Sequence, residues 1–294
     1  MELYQLRSFS TVAKVGHLTR AAEVLHLSQP ALSAHIKALE EDLEVELFDR
    51  SPSGMVLTPA GERLLVAAEK TLAAAQDLRN EARSIRGTVS GSVTVGTLSD
   101  PEFLRLGDLA ASVYRRHPLL QLQFQREVSG EAFEHVREGK LDASFYYGER
   151  THLKIARLVL REVAYRVVAP KAWAARIERC GWSEVETESW ILTPPISTHY
   201  QLASELFRRH EISPSKVVQA DDENVIASLV VAGMGMALMR EDLALEKQRA
   251  GLICLWNDLR LPTTLQFIYL KERDHDPVLR ALVEILRTVW SVPE

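Results

Sequence analysis

Residues 18–60, LTRAAEVLHLSQPALSAHIKALEEDLEVELFDRSPSGMVLTPA, constrain this chain more than any other stretch. Two short helical patterns meet at His26-Leu27, a link too short for anything but a turn, and a compact hairpin follows. Thr19 stands where a hydroxyl accepts a backbone N–H of the first helix's opening turn. Ser28 offers a second cap, and Pro30 falls in the first turn of the next helix, where a missing N–H costs nothing. Along that helix Leu32, Ile36, Leu39 and Leu43 recur at steps of four, three and four, which makes one buried stripe.

Gln29, Ser33 and Lys37 fall on a different face of the same helix. Gln matches adenine edges, Ser serves base edges or phosphates, and Lys suits guanine or phosphate. Pro30 and Ala31 add small apolar surface where thymine methyls would be met. Helical spacing alone fits an amphipathic hairpin with a solvated face equally well. The following residues favour the first reading: 46–48 read as a strand, 51–54 as a turn and 55–58 as the return strand. Arg50 at the hairpin base suits a phosphate or plain solvent.

SQPALSAHIKALEEDL followed by LFDRSPSGMVLTPAGERLL resembles the winged helix-turn-helix of LysR-type transcriptional regulators. The opening LYQLRSFSTVAKVGHLTRAAEVLHLSQPA fits the same pattern, with Phe9, the Ala21-Ala22 pair and the Ser28-Gln29-Pro30 corner. The resemblance spans the whole chain in length and domain order. It implies an all-α-rich winged helix-turn-helix over 1–58, a linker and dimerisation helix over 59–86 and a hinge over 87–91. A two-lobed α/β effector domain, like a periplasmic binding protein, then fills 92–294, with lobe 1 at 92–162 and 266–294 and lobe 2 at 163–265. The implied partners are double-stranded promoter DNA, a small-molecule effector, RNA polymerase and further copies of the chain as a homodimer or homotetramer.

Charge does not follow the usual footprint of a DNA-binding domain. Residues 1–86 hold ten Lys/Arg and twelve Asp/Glu, net −2, within a chain of net −5. The acids gather at Glu40, Glu41, Asp42, Glu44 and Glu46, beyond the base-reading end of the helix, while Arg20, Lys37 and Arg50 lie where phosphates would run. Few phosphate contacts per domain call for more than one domain. In the next segment Leu64, Ala68, Leu72, Ala75, Leu78, Ala82 and Ile85 recur at steps of three and four, a coiled-coil-like seam. The alternative is a helix packed on its own domain. GTVSGS at 87–92 then breaks the pattern as a hinge does.

Beyond the hinge, strands expected at 92–97, 119–127, 141–147, 163–169, 190–193, 216–220, 236–238 and 264–270 alternate with helices at 102–117, 130–138, 171–179, 198–210, 223–232 and 277–289. Such alternation argues for an α/β unit with a largely parallel sheet. Ligands in such sheets bind beyond the carboxyl ends of strands. Those positions are Leu98, Ser99 and Asp100 after the first strand, Ser129 after the second, and Ile196, Ser197, Thr198 and His199 on the other lobe, with Tyr147 ending a strand at the same level. Hydroxyls at helix starts favour carboxylates, and family members with acidic effectors use hydroxyls matching Ser99 and Ser129. Each hydroxyl also reads as an ordinary N-cap. An inward Asp100 would repel a carboxylate, which leaves room for an amine, an amino acid or a sugar.

His199 stands beside a helix start either as an anion contact or as packing. Of Tyr146 and Tyr147, alternation sends one to the core and one outward. In VAGMGMALM, 231–239, Gly233 and Gly235 end a helix and start a strand, and Arg240 follows where the family commonly has proline. Arg240 then puts a cation near the cleft mouth or makes a surface ion pair, the simpler reading. No Walker loop, GxGxxG, HExxH or GxSxG occurs, and no His/Cys cluster has metal spacing, so no catalytic residue, cofactor or metal is expected. Cys180 and Cys254 lie 74 residues apart, as inert thiols or, as in some relatives, oxidant sensors. The N-terminus carries no signal-peptide pattern and no apolar run nears the roughly 18 residues of a membrane span, so the cytoplasm is the expected compartment. An exported solute-binding protein and an α/β enzyme remain as weaker alternatives.

Overall fold

The computed structural model describes residues 1–51, 54–84 and 89–293, without the side chains of Arg50, Ser51, Asp77, Asn80, Glu81, Arg83 and Ser84. The chain divides into two compact units, Met1–Arg86 and Gly87–Glu294. Among the described residues no helix is long and apolar enough to cross a membrane.

The first unit runs α1 (Leu3–Val15), α2 (Leu18–Leu25), α3 (Gln29–Leu43), β1 (Phe48–Ser51), β2 (Gly54–Leu57) and α4 (Pro59–Ser84). Local chemistry sets the α2–α3 corner. His26 takes a left-handed conformation with φ 54° and its N–H closes on Ala22 and Glu23. Two residues later the Ser28 hydroxyl accepts the Ala31 N–H at 3.3 Å, and Pro30 occupies the first turn. Thr19 does not cap: α2 begins at Leu18 behind His17, so Thr19 already lies within the first turn. Leu32, Ile36 and Leu39 are buried and Leu43 is half-buried, so the stripe faces α1 and α2.

The hairpin sits two residues later on its first strand than the sequence suggests, pairing Phe48 with Leu57 and Ser51 with Gly54. The Glu40 carboxylate explains the offset, because it accepts the N–H groups of Leu47 (2.9 Å) and Phe48 (3.4 Å) and holds this segment against α3. Pro52 and Ser53 of the expected turn lie outside the described residues. Gly54 is required where it stands: its φ is 133°, and an added Cβ would meet the Gly16 carbonyl oxygen. The first half of α4 packs on its own unit through buried Ala68 and half-buried Leu64, Leu65 and Leu72. Farther along, Leu78 is 72% exposed, so the seam is open there. The packing of this helix on its own unit is therefore confined to its first half. Ile85 of the expected seam, and Gly87 and Thr88 of the expected hinge, lie outside the described residues.

The second unit is built on one eight-stranded sheet in the order β4-β3-β5-β10-β6-β9-β7-β8. Lobe 1 contains β3 (Ser90–Thr97), α5 (Leu106–Arg116), β4 (Leu119–Arg126), α6 (Ser129–Arg137), β5 (Ala143–Tyr147) and the closing α12 (Pro277–Trp290). Lobe 2 contains α7 (Ala174–Ile177), α8 (Trp182–Glu186), β7 (Ser189–Leu192), α9 (Thr198–Arg209), β8 (Lys216–Gln219), α10 (Glu223–Val231), β9 (Met236–Arg240) and α11 (Glu241–Arg249). Two long strands, β6 (Ile155–Pro170) and β10 (Ile253–Leu270), belong to both lobes and pair antiparallel along most of their length.

The expected strands at 163–169 and 264–270 are thus only the second halves of β6 and β10. The first half of β6 escapes a periodicity reading because exposed Arg157, Arg161 and Glu162 interrupt its apolar positions. In β10 the left-handed Asn257 (φ 53°) and Pro262 read as breaks, although the pairing resumes at Arg260. The helix expected from 102 starts at Leu106, because residues 101–105 form a turn that Asp100 closes by accepting the Phe103 N–H at 2.9 Å. The helix expected at 171–179 is a 3-10 turn, Lys171–Trp173, followed by the short α7. Lobe 1 closes on Phe145 and Phe267, packed edge to face at 5.5 Å beneath α12. In lobe 2 fully buried Trp190 packs on Phe207 and donates its indole N–H to the Val185 carbonyl at 3.2 Å.

Thr58 joins hairpin to helix: its hydroxyl donates to the Glu46 carbonyl (2.8 Å) and accepts the Gly61 N–H (2.9 Å) at the start of α4. Thr58→Ala removes that cap, with an expected loss of roughly 0.5–2 kcal/mol. Denaturant unfolding followed by helical circular dichroism measures it, and the loss should fall on the transition of the first unit.

Candidate functional site

The outward side of α3 carries the residues that the sequence assigns to DNA. Ser28, Gln29, Pro30 and Lys37 are exposed, Ala31 and Ser33 are half-buried, and Thr19 and Arg20 are exposed on α2. Lys37 pairs with Glu41 at 3.5 Å, with both side chains about two-thirds exposed, so the pair opens at little cost. The Arg50 backbone pairs with Met55 in the hairpin, and its side chain lies outside the described residues.

In the second unit a cavity opens where the two lobes face each other. Lobe 1 lines it with Leu98, Ser99, Glu127, Val128, Ser129 and Tyr147, and lobe 2 with Tyr165, Thr193, Ser197, His199, Asp221 and Glu223. Its volume is about 50 Å³, against roughly 10–15 Å³ for one water on the same measure, so it suits a small ligand. Ser129 is the first residue of α6, and the residue before it, Val128, has no side-chain acceptor, which leaves that helix N-terminus uncapped. The Ser99 and Ser129 hydroxyls and the Asp221 carboxylate have no hydrogen-bond or ionic partner among the described residues.

Three residues expected at the site lie elsewhere. Asp100 turns from the cavity to pair with Arg240 at 2.5 Å, in a left-handed conformation (φ 73°). Ile196 is exposed, and its carbonyl packs against Gly130 so closely that a Cβ there would collide with it. Thr198 follows the true cap, Ser197, whose hydroxyl accepts the Tyr200 N–H at 3.0 Å, and its own hydroxyl donates across the lobes to the Tyr147 carbonyl at 2.5 Å. Ser99 is not at a helix start, since α5 begins at Leu106. Tyr146 and Tyr147 are both buried, because helices cover one face of β5 and the other lobe covers its end.

Reading along the chain missed Glu127, Tyr165, Thr193, Asp221 and Glu223. Asp221 and Glu223 follow β8 directly, the strand-end position that revealed the other residues, so that signal was present. Glu127 lies against His135 Nδ1 at 3.1 Å, and Tyr165 donates to Glu223 at 3.1 Å. Burial pushes the Tyr165 phenol well above its ordinary value and raises the Glu223 carboxyl, which Arg240 opposes from 2.7 Å. Arg240 is not a surface ion pair. It is 2% exposed and meets Asp100, Glu223 and Asp242. Cys180 and Cys254 are free thiols, and burial raises the Cys254 pKa, away from a reactive thiolate.

His199 is held as a neutral ring. Its Nε2 faces the Leu238 carbonyl at 2.9 Å and therefore donates, so Nδ1 accepts from the Thr193 hydroxyl at 3.2 Å. Thr193 in turn shares a hydrogen bond with Ser197. Burial lowers the His199 pKa below the ordinary 6.5. The unfolded chain then binds a proton that the folded chain refuses, so stability is fully present above about 6.5 and falls as pH drops through that value toward the folded pKa. His199→Gln removes this share of the acid sensitivity. The unfolding free energy of the variant, compared at pH 7.5 and 5.5, is expected to change less than that of the unaltered protein.

Residues 3–62 match the family model for the bacterial regulatory helix-turn-helix protein, lysR family, and residues 86–291 match the LysR substrate binding domain. The chain is 28% identical to the transcriptional regulator CfxR of Cupriavidus necator, over 81% of this chain and 75% of that one. It is also 28% identical to the regulator IlvR of Caulobacter vibrioides, with all of both chains covered. The full-length regulator CbnR, solved in complex with its target DNA, shares the fold at a TM-score of 0.66 and 23% identity, covering 98% of this chain and 99% of that one. With a winged helix-turn-helix in its first unit and a two-lobed cavity in its second, the chain belongs to the LysR family of DNA-binding transcriptional regulators.

Proposed function

We propose that α3 reads base edges through Gln29 and Ser33, with Pro30 and Ala31 against thymine methyls and Arg20, Lys37 and Arg50 on phosphates. The exposed polar row on a capped helix carries this reading, since the N-terminal residues of the second helix reach bases in helix-turn-helix proteins. Thr19 and Ser28 border the same face. The open distal half of α4, with Leu78 exposed, supports pairing with a second copy, which doubles the phosphate contacts. A footprint on DNA upstream of the protein's own or a divergent gene tests the function, and absence of protection at every salt concentration refutes it. Gln29→Ala is expected to relax sequence preference, whereas Arg20→Ala weakens specific and random DNA evenly and lowers the salt slope by about one.

The inter-lobe cavity supports a small amino-acid-like effector. A carboxylate suits the free hydroxyls of Ser99, after β3, and of Ser129, at the uncapped N-terminus of α6. The acidic groups Glu127, Asp221 and Glu223 line the same cavity and favour a ligand that carries an amino group over a simple diacid. Thermal-shift screening of the full chain with amino acids, simple carboxylates and amines separates these classes. Ser129→Ala is expected to weaken an amino-acid hit by roughly tenfold to a hundredfold, the worth of one hydrogen bond to a charged group. Unchanged affinity removes Ser129 from the site.

A further inference from the structure

Arg240 is the last residue of β9, in lobe 2, and all five of its guanidinium N–H donors find acceptors. Nε donates to Asp242 Oδ1 at 2.7 Å and Nη2 to Asp242 Oδ2 at 2.9 Å, a forked pair within lobe 2. Nη1 donates to Glu223 at 2.7 Å, also in lobe 2, and to the Tyr147 hydroxyl of lobe 1 at 3.4 Å. The remaining Nη2 donor reaches Asp100 of lobe 1 at 2.5 Å, and the Phe103 ring, also of lobe 1, lies 3.6 Å from the guanidinium carbon. Lobe 1 thus supplies an anion, a phenol and an aromatic face, and lobe 2 supplies the cation and two anions.

We propose that Arg240 is a latch carried by the chain itself, holding the two lobes closed over the cavity when no ligand is bound. A buried guanidinium is costly to leave without its partners, and parting the lobes strips it of Asp100, Tyr147 and Phe103 together. Asp100 is set for the task. Its other carboxylate oxygen fixes the turn before α5, and its left-handed backbone, a conformation Asp tolerates better than most residues, aims Oδ2 at the guanidinium. The latch also positions the cavity walls, since Tyr147 and Glu223 line the cavity and Asp100 follows Ser99. Two weaker ties run beside it: Arg126 to Asp222 at 2.9 Å, with the arginine more than half exposed, and Thr198 to the Tyr147 carbonyl. None of this depends on the ligand chemistry proposed above.

Hydrogen exchange on the full-length, ligand-free protein tests the latch. Asp100→Asn keeps the turn-closing oxygen and tolerates the left-handed backbone, yet removes the charge that faces Arg240. Amides of the facing walls, 128–132 and 196–199, are expected to exchange at least about tenfold faster in this variant while the central strands of each lobe stay protected. Arg240→Lys, which keeps the charge and loses the fork, should fall between. Wall amides as slow in both variants as in the unaltered protein overturn the proposal. A second measurement leaves the latch untouched: spin labels at Glu131→Cys and Gln201→Cys, in a Cys180→Ser background diluted with unlabelled protein. One narrow cross-lobe distance without ligand supports the latch, and a broad or long distribution overturns it.

Discussion

The antiparallel pairing of β6 with β10 is the constraint on which the second unit rests. Leu270 pairs with Ile155 in lobe 1, and Ile253 with Pro170 in lobe 2, so the same two strands carry both halves of the sheet. Everything that lines the cavity is attached on one side or the other of this pair. The register slips twice, between Leu255 and Arg260 and between Leu265 and Gln266, the second opposite Leu160 at the level where the chain passes from lobe to lobe. Such an irregularity leaves one residue unpaired and bends the strand. A bend placed there turns one lobe against the other without breaking the ladder within either. Arg240 lies close by, paired with Tyr165 of β6, so the ionic cluster acts near the point where the lobes turn.

A cluster of this kind contributes orientation more than net stability. Taking the guanidinium and the Glu223 carboxylate out of water is costly, with Asp100 and Asp242 left partly exposed, and their attraction does little more than offset that cost. Removing Arg240 is a different matter, because the buried Glu223 carboxylate then loses its cation, at roughly 3–5 kcal/mol for a broken buried pair. Burial works against the Arg240 charge, while its bonds to Asp242 and the neighbouring Glu223 hold its pKa above the ordinary value, so it stays a cation throughout the accessible pH range. Fully formed, the arrangement fixes the lobes in one relation; without Asp100 the cation keeps Glu223 and Asp242 but loses its tie to lobe 1. An apolar contact would have permitted sliding. A directional bond that requires Asp100 in one place does not.

The sequence disclosed what depends on neighbours along the chain. The α3 stripe of Leu32, Ile36 and Leu39, the Ser28 cap and the strand ends bearing Ser99, Ser129 and Ser197 follow from spacing alone, because helices and turns are local. Arg240 looked like a surface residue because its partner Asp100 stands 140 positions away, and nothing near either residue announces the other. Thr198 passed for a helix cap for the same reason, its acceptor being the Tyr147 carbonyl 51 positions earlier. The missed elements share a physical cause. Helix α11 buries only Ala244 and so shows no apolar face, and the first half of β6 carries charged residues along a strand that is covered on one side only. The resemblance to LysR regulators supplied the two-lobed plan that periodicity could not.

The acidity of the first unit bears differently on DNA once each carboxylate has an address. Glu40 spends its charge on the Leu47 and Phe48 N–H groups, and Asp42 faces the chain's own amino terminus at 3.0 Å. Glu41 holds Lys37 only through an exposed pair, and Glu69 sits between Lys14 and Ser10 on the far side of α1. Four of the twelve acids in the segment are thus engaged within the fold, and the end of α3 that bears Gln29 carries none. Repulsion of phosphates is thus smaller than the bulk count implies, but positive charge is not gained in exchange. Non-specific affinity depends on the number of phosphates neutralised, and one such domain has few cations to offer. On the proposed reading, base contacts by the Gln29 face and a second domain would have to supply what phosphate contacts do not.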